Sequence, residues 1–139
     1  MKTALIIDDQ PEILDALSKY LTESNWNVTC ISDAETYIDK HKKKSYDLII
    51  VDLILPKMTG MTLIKDHFPK NQKIIVISGF MSAILGNEFF KNKNITFIEK
   101  PFKCNELMLA IHNLMIDVND ENKKGRHHNK MITTILSLF

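Results

Sequence analysis

Side chains suited to phosphate chemistry stand at or just beyond the ends of apolar runs in this sequence. They are Asp8, Asp9, Asp52, Ser78 and Lys100. Carboxylates gathered in one place repel one another, and their pKa values rise unless a cation intervenes. Oxygen ligands of this kind suit Mg²⁺, which takes one or two carboxylates together with phosphate oxygens. The set would suit phosphoryl transfer, in which positioning and charge neutralisation account for most of the catalysis.

Asp52 considered alone has two interpretations. It follows the apolar run 48–51, which is typical of a strand buried on both faces, so its carboxylate would lie at the mouth of a core. Burying a charge there is costly unless a neighbouring group compensates for it. Alternatively, Asp52 simply caps a turn or a helix, as Asp often does. The elements that surround Asp52 decide between these two interpretations.

Apolar runs with turn signals alternate with stretches of helical periodicity along the chain. Strands are predicted over residues 3–7, 26–31, 47–52, 73–78 and 95–98. Helices are predicted over residues 11–23, 83–91 and 107–118. A further helix begins at a capping box, Ser32–Glu35, and runs to about residue 42, and a short helix contains Leu63 and Ile64. Central strands that are apolar throughout predict a parallel sheet with helices on both faces. The fold class is therefore α/β, a doubly wound three-layer sandwich.

The order of the strands determines whether the polar side chains meet. Right-handed crossovers leave few doubly wound topologies, and in the order 2-1-3-4-5 strands one and three are neighbours at the reversal. The ligand crevice of such sheets lies at the carboxyl ends of the strands. Asp8, Asp9 and Asp52 would then share one pocket, flanked by Ser78 and Lys100.

Composition limits the class of protein. A chain of 139 residues with a formal net charge of +1 fits a single domain and has no global field that favours nucleic acid or an anionic membrane. Two cysteines and no apolar signal segment favour a cytoplasmic protein with reduced thiols. No apolar run approaches the ~20 residues of a membrane helix. Neither a Walker-type loop nor a Ser–His–Asp or zinc spacing is present.

Four short motifs resemble the receiver domain of two-component response regulators, a family with a flavodoxin-like (βα)5 fold. They are Asp8–Asp9, Asp52–Gly60, Ser78–Gly79 and Phe97–Phe102, and their order and spacing also match. The resemblance covers roughly residues 2–119. We therefore predict a receiver domain over 1–119 and a C-terminal tail over 120–139, which could be a helix extension, an interface segment or disordered.

The resemblance implies a role for each acidic residue. Asp52 would accept the phosphoryl group from a histidine kinase or a histidine phosphotransfer protein, in a Mg²⁺-dependent reaction. Asp9 and Asp52 would bind the metal directly and Asp8 through water, while the backbone carbonyl of Ile54 would complete the protein ligands.

The resemblance also implies a conformational switch. Ser78 would move to the phosphoryl group, Phe97 would turn inward with it, and Lys100 would pair with a phosphoryl oxygen. A cis bond between Lys100 and Pro101 is implied as well. Ile54 and Phe80 stand where the family's hydrolytic water approaches, so we expect slow self-dephosphorylation.

These features predict a signalling phosphoacceptor and not an enzyme with an external substrate. Its output would pass through the face of the fourth helix, fifth strand and fifth helix to a downstream protein. No helix-turn-helix follows, so direct DNA binding is not expected, whereas the apolar 131–139 segment could form a homodimer contact. Two alternatives remain open: a phosphorylation-independent interaction module, and a small Mg²⁺-dependent aspartyl phosphohydrolase. The latter lacks its usual second acid, because that position holds Ile54.

Overall fold

A computed structural model describes residues 1–79 and 92–116. The described residues form one parallel sheet of five strands in the order β2-β1-β3-β4-β5. The strands are β1 (Thr3–Ile7), β2 (Asn27–Ile31), β3 (Leu48–Asp52), β4 (Ile74–Ser78) and β5 (Ile95–Glu99). The predicted fold class and strand order are confirmed. β1 and β3 are hydrogen-bonded neighbours, so Ile7 lies beside Val51 and the carboxyl ends of the two strands coincide.

The helices connect the strands on both sides of the sheet. They are α1 (Pro11–Glu23), α2 (Ala34–Thr36, continued by a π-helical segment, Tyr37–His41), α3 (Gly60–Thr62, continued by a π-helical segment, Leu63–His67) and α4 (Cys104–Met115). None of the described helices is long and apolar enough to cross a membrane. The helix predicted over 83–91, the end of the last predicted helix at Val118, and the 120–139 tail lie outside the described residues.

Alternate residues of each central strand supply two separate cores. Ala4 and Ile6 of β1 pack with α1 and α4 on one face. Leu5 and Ile7 pack on the other face, with α2 and α3. Every residue of β3 and β4 is buried, which explains why their sequences are apolar without alternation. Only the last residues of these strands, Asp52 and Ser78, bring polar side chains to the edge of the core.

Two predicted boundaries are corrected by the structure. The N-cap of α2 is Asp33 and not Ser32: the Asp33 carboxylate accepts a 2.7 Å hydrogen bond from the Thr36 amide, which lowers the pKa of Asp33. Ser and Asp are both favourable N-caps, so two adjacent candidates cannot be ranked by residue type. β2 begins at Asn27, because the Trp26 amide donates to the Leu21 carbonyl at the end of α1.

His41 is a buried histidine at the end of the π-helical segment that continues α2. Its burial predicts that the stability of the fold depends on pH. His41 is 8% exposed, and its Nδ1 lies 2.7 Å from the Tyr46 hydroxyl oxygen. Burial lowers the pKa of His41, and Lys44 and Lys40 lower it further. As the pH falls, His41 of the unfolded chain takes up a proton at about pH 6.5, whereas His41 of the folded chain does so only at a lower pH. We therefore expect the free energy of unfolding to fall as the pH drops below ~6.5, until the lowered pKa is passed.

Urea unfolding measured from about pH 8 to pH 5 tests this expectation. His41→Gln should remove this part of the pH dependence, and His112→Gln, at an exposed position on α4, is the matched control. An identical slope in the parent protein and His41→Gln would show that His41 does not contribute.

Candidate phosphoacceptor site

Two buried carboxylates mark the carboxyl ends of β1 and β3. Asp8 is 0% exposed and Asp52 6% exposed. One oxygen of each accepts a hydrogen bond from a backbone amide two residues further on: Gln10 N–H to Asp8 Oδ1 (2.9 Å) and Ile54 N–H to Asp52 Oδ1 (3.0 Å). These bonds fix both carboxyl groups and leave each Oδ2 facing the pocket for other contacts.

Lys100 joins the two carboxylates. Its Nζ donates to Asp8 Oδ2 at 2.9 Å and to Asp52 Oδ2 at 2.8 Å. The backbone of Lys100 is placed by β4, because its amide donates to the Ser78 carbonyl at 2.8 Å. The Lys100–Pro101 bond is cis, as the resemblance implies. Lys100, which is distant from Asp52 in the sequence, is thus held beside the end of β3.

Burial and charge act in opposite directions on these groups. Burial raises the pKa of Asp8, and the negative charge of Asp52 adds to this rise, although hydrogen bonds from the Gln10 amide and Lys100 partly offset it. Burial disfavours the charged form of Lys100, but hydrogen bonds to Asp52 and Asp8 outweigh this and raise the pKa of the ammonium. Lys100 therefore stays charged at neutral pH.

The acidic residues are arranged in a way that fits a hard divalent cation. Asp8, Asp9 and Asp52 each offer a carboxylate oxygen, and these oxygens lie within 4.8 Å of one another. Asp9 is exposed, so a cation has access from solvent. One ammonium cannot neutralise three carboxylates. The pKa of Asp8 is raised mainly by burial, and the negative charge of Asp52 adds to the rise. The residues present fit Mg²⁺, which prefers oxygen ligands and keeps several waters.

The remaining predicted site residues lie around this cluster. Ser78 ends β4 beside the cluster and is 2% exposed. Phe97, on β5, is partly buried against the core that α2 and α3 cover. The Ile54 side chain is 53% exposed, next to Asp52. The ligand role of the Ile54 carbonyl and the switch roles of Ser78 and Phe97 stay predictions, and Phe80 lies outside the described residues.

Two residues at the candidate site were assigned no role from the sequence. Gln10 directly follows the acidic pair, and its side-chain oxygen lies 3.2 Å from Lys100 Nζ. Gly60 entered only as the last residue of the Asp52–Gly60 motif, without a role of its own. Its amide donates to the Leu53 carbonyl at 2.8 Å, and a Cβ at this position would collide with the backbone carbonyl of Asp52 and lie 3.1 Å from the Leu53 Cα. The position of Gly60 in the same motif as Asp52 was the signal available.

Gly60→Ala is expected to displace the end of β3. Because the added methyl group would meet backbone atoms and not a flexible side chain, the strand end or α3 must shift. Overpacking of this kind costs about 1–3 kcal/mol. We expect a lower free energy of unfolding in urea together with a weaker Lys100–Asp52 contact.

Gly79→Ala is the matched control, because a Cβ there meets no atom of the described residues within 4 Å. It should leave the free energy of unfolding nearly unchanged. Equal stabilities for the two variants would contradict the close approach at Gly60.

Comparisons with known proteins agree with this geometry. The model of the response regulator receiver domain family matches residues 4–112. The heme response regulator HssR of Staphylococcus saprophyticus is 27% identical over 132 residues, which cover 90% of this chain and 58% of that protein. The transcriptional regulatory protein CssR of Bacillus subtilis is 34% identical over 122 residues, which cover 81% of this chain and 51% of that protein. The chain thus spans little more than half the length of these two relatives.

Solved structures show the same fold. A CheY-like receiver domain from Methylobacillus flagellatus superposes with a TM-score of 0.70 at 22% identity, over 82% of this chain and 98% of that chain. The chemotaxis response regulator CheY4 of Vibrio cholerae superposes with a TM-score of 0.69 at 22% identity, over 83% of this chain and 99% of that chain. With the sheet order, the acidic cluster and the family match together, the chain belongs to the response regulator receiver domain family.

Proposed function

We propose that this domain accepts a phosphoryl group on Asp52 from a phosphohistidine, carried by a histidine kinase or a histidine phosphotransfer protein. The observation that carries the proposal is the placement of Lys100 Nζ 2.8 Å from Asp52 Oδ2, above a cluster of three carboxylates. A nucleophilic carboxylate needs a fixed orientation and positive charge near the incoming phosphoryl oxygens. The Ile54 amide supplies the orientation and Lys100 the charge.

The transfer consists of one exchange of bonds at phosphorus. An oxygen of the Asp52 carboxylate attacks the phosphorus atom, a P–O bond forms, and the P–N bond to the imidazole breaks. The imidazole leaves with the electron pair of the P–N bond. If its other ring nitrogen is protonated it leaves as neutral imidazole, and otherwise it takes one proton from solvent as it leaves. The product is an acyl phosphate on Asp52. Lys100 is placed to pair with a phosphoryl oxygen as negative charge accumulates there.

Asp8, Asp9 and Asp52 would hold the Mg²⁺ that the transfer requires. When bound, the ion neutralises the carboxylates and the phosphoryl oxygens. The fit of the acidic cluster supports this cofactor. The backbone carbonyl of Ile54 would complete the proposed ligands.

The proposed output is a change in protein contacts. Ser78 and Phe97 lie on the neighbouring strands β4 and β5, so a movement of Ser78 toward the phosphoryl group can be transmitted to β5. The surface of β5, α4 and the helix expected over 83–91 is the proposed contact face for a downstream protein. A cytoplasmic location and action without direct DNA contact remain part of the proposal, as does a homodimer through the 131–139 segment.

Phosphorylation by a small-molecule donor tests the proposal. The protein is incubated with acetyl phosphate or phosphoramidate, with Mg²⁺ or with EDTA, and intact mass is recorded. We expect the mass of one phosphoryl group with Mg²⁺ only, absent in Asp52→Ala and present in Asp39→Ala, an exposed aspartate on α2. A parent protein without the adduct would instead favour a phosphorylation-independent module. Turnover of an unrelated phosphate ester would favour a phosphohydrolase.

A further inference from the structure

We propose that Gln10 is a positioning residue that holds the Lys100 ammonium in the site while Lys100 exchanges its contact with Asp52 for a phosphoryl oxygen. The inference rests on the proposed function. An ammonium has three N–H donors and no acceptor. Among the described residues, Lys100 Nζ has three acceptors within hydrogen-bond distance: Asp52 Oδ2 (2.8 Å), Asp8 Oδ2 (2.9 Å) and Gln10 Oε1 (3.2 Å).

The backbone of Gln10 is fixed independently of its side chain. Gln10 is the N-cap residue of α1, and its carbonyl accepts hydrogen bonds from the amides of Ile13 (3.1 Å) and Leu14 (3.2 Å). Its own amide donates to Asp8 Oδ1. The side chain makes no capping hydrogen bond, although N-cap side chains commonly do. Instead, its amide oxygen reaches across the pocket to Lys100.

The three acceptors are not equivalent once Asp52 reacts. An acyl phosphate on Asp52 removes the carboxylate charge, and the proposed function then directs Lys100 toward a phosphoryl oxygen. Asp8 also belongs to the proposed Mg²⁺ site, so its negative charge would be shared between Lys100 and the metal ion. Gln10 is neutral, lies outside the acidic cluster, and can keep one Lys100 donor through the whole exchange. Loss of this anchor leaves a long flexible side chain with fewer fixed contacts.

Two substitutions separate positioning from a structural role. Gln10→Met keeps the length of the side chain and removes the acceptor. Gln10→Asn keeps the amide but shortens the side chain by one methylene, which withdraws the acceptor from Lys100. Because Asn is a preferred N-cap, Gln10→Asn should hold α1 at least as well as Gln10 does. Both variants retain the backbone hydrogen bond from residue 10 to Asp8.

The rate of acyl phosphate formation is measured at fixed Mg²⁺ and acetyl phosphate. We expect both variants to react roughly 3- to 10-fold more slowly than the parent, as the net loss of one solvent-exposed hydrogen bond predicts. Gln10→Asn should be no less stable to urea. In a Lys100→Met background, Gln10→Met should produce no further slowing, because its effect acts through the ammonium. Asn71→Met, at an exposed position far from the site, is the control for an added methionine.

A second measurement does not depend on phosphorylation. In ¹⁵N NMR spectra, the Lys100 ammonium signal should be protected from exchange in the parent protein and less protected in both Gln10 variants. Unchanged protection of the Lys100 ammonium in the Gln10 variants would overturn the positioning role. Rates of acyl phosphate formation equal to or above that of the parent would overturn it as well. If Gln10→Met slowed the reaction as much in the Lys100→Met background as in the parent protein, the positioning role would also be overturned. If the parent itself forms no adduct, the proposed function fails, and the NMR result then reports separately whether the Gln10–Lys100 contact exists.

Discussion

Asp52→Asn is expected to abolish phosphoryl transfer while the fold is retained. The substitution removes the carboxylate that is the proposed nucleophile but keeps the shape of the side chain, and an amide oxygen can still accept from the Ile54 amide. Lys100 keeps its contacts with Asp8 and Gln10. Removal of one negative charge also relieves repulsion with Asp8, whose pKa the charge of Asp52 helps to raise. The lost Lys100–Asp52 pair and the relieved repulsion act in opposite directions, so we expect a stability change within about 1 kcal/mol.

Two measurements on the same preparation check this expectation. Intact mass after incubation with acetyl phosphate and Mg²⁺ should show no phosphoryl group, and urea unfolding should give a midpoint close to that of the parent. Asp39→Asn, at an exposed position, should behave as the parent in both. An adduct that persists in Asp52→Asn would mean that another residue accepts the phosphoryl group.

Lys100→Met is expected to have the largest effect on stability. The Lys100 side chain is 18% exposed, and the side chains of its partners Asp8 and Asp52 are 0% and 9% exposed. Methionine preserves the volume but leaves two buried carboxylates without their cation. Removing one partner of a buried ion pair costs about 3–5 kcal/mol, and the partial exposure of Lys100 places the expected loss near the lower end of that range. The rate of acyl phosphate formation should also fall at least tenfold, because the positive charge beside the phosphoryl oxygens is lost.

Lys57→Met is the matched control for Lys100→Met. Lys57 also pairs with a carboxylate, Glu35 at 3.6 Å, but these side chains are 76% and 60% exposed. An exposed pair contributes about 0–1 kcal/mol, so the control should be nearly neutral in urea unfolding and unchanged in phosphorylation rate. Similar losses for the two variants would show that the buried Lys100 network contributes no more than a surface pair.

The sequence was sufficient to predict the fold and the convergence of the acidic residues. Two nearly unbroken runs of Leu, Ile and Val around residues 48–52 and 74–78 have few interpretations other than central parallel strands. Once β1 and β3 are neighbours, Asp8 and Asp52 must meet, because parallel strands bring their carboxyl ends to the same edge. The roles of these residues in phosphorylation remain predictions.

Some features could not be predicted from the sequence, because they depend on competition between adjacent residues or on contacts between side chains that are distant in sequence. Ser32 and Asp33 are adjacent N-cap candidates with similar intrinsic preferences, and only the backbone geometry shows that Asp33 caps α2. The continuation of α2 and α3 as π-helical turns has no periodicity signal over so few residues. The Gln10–Lys100 contact joins side chains that are distant in sequence, and its existence depends on the rotamers of both.

The proposed function requires that Asp52 carries the phosphoryl group as an acyl phosphate. Sodium borohydride reduces an acyl phosphate to an alcohol, so a phosphorylated aspartate becomes homoserine, which peptide mass spectrometry can locate. The protein is incubated with acetyl phosphate and Mg²⁺, reduced, digested and mapped, with an EDTA-treated sample alongside. We predict homoserine at position 52 in the Mg²⁺ sample only. Homoserine at another aspartate, or an added phosphoryl group that leaves residue 52 as unmodified aspartate, would contradict the account.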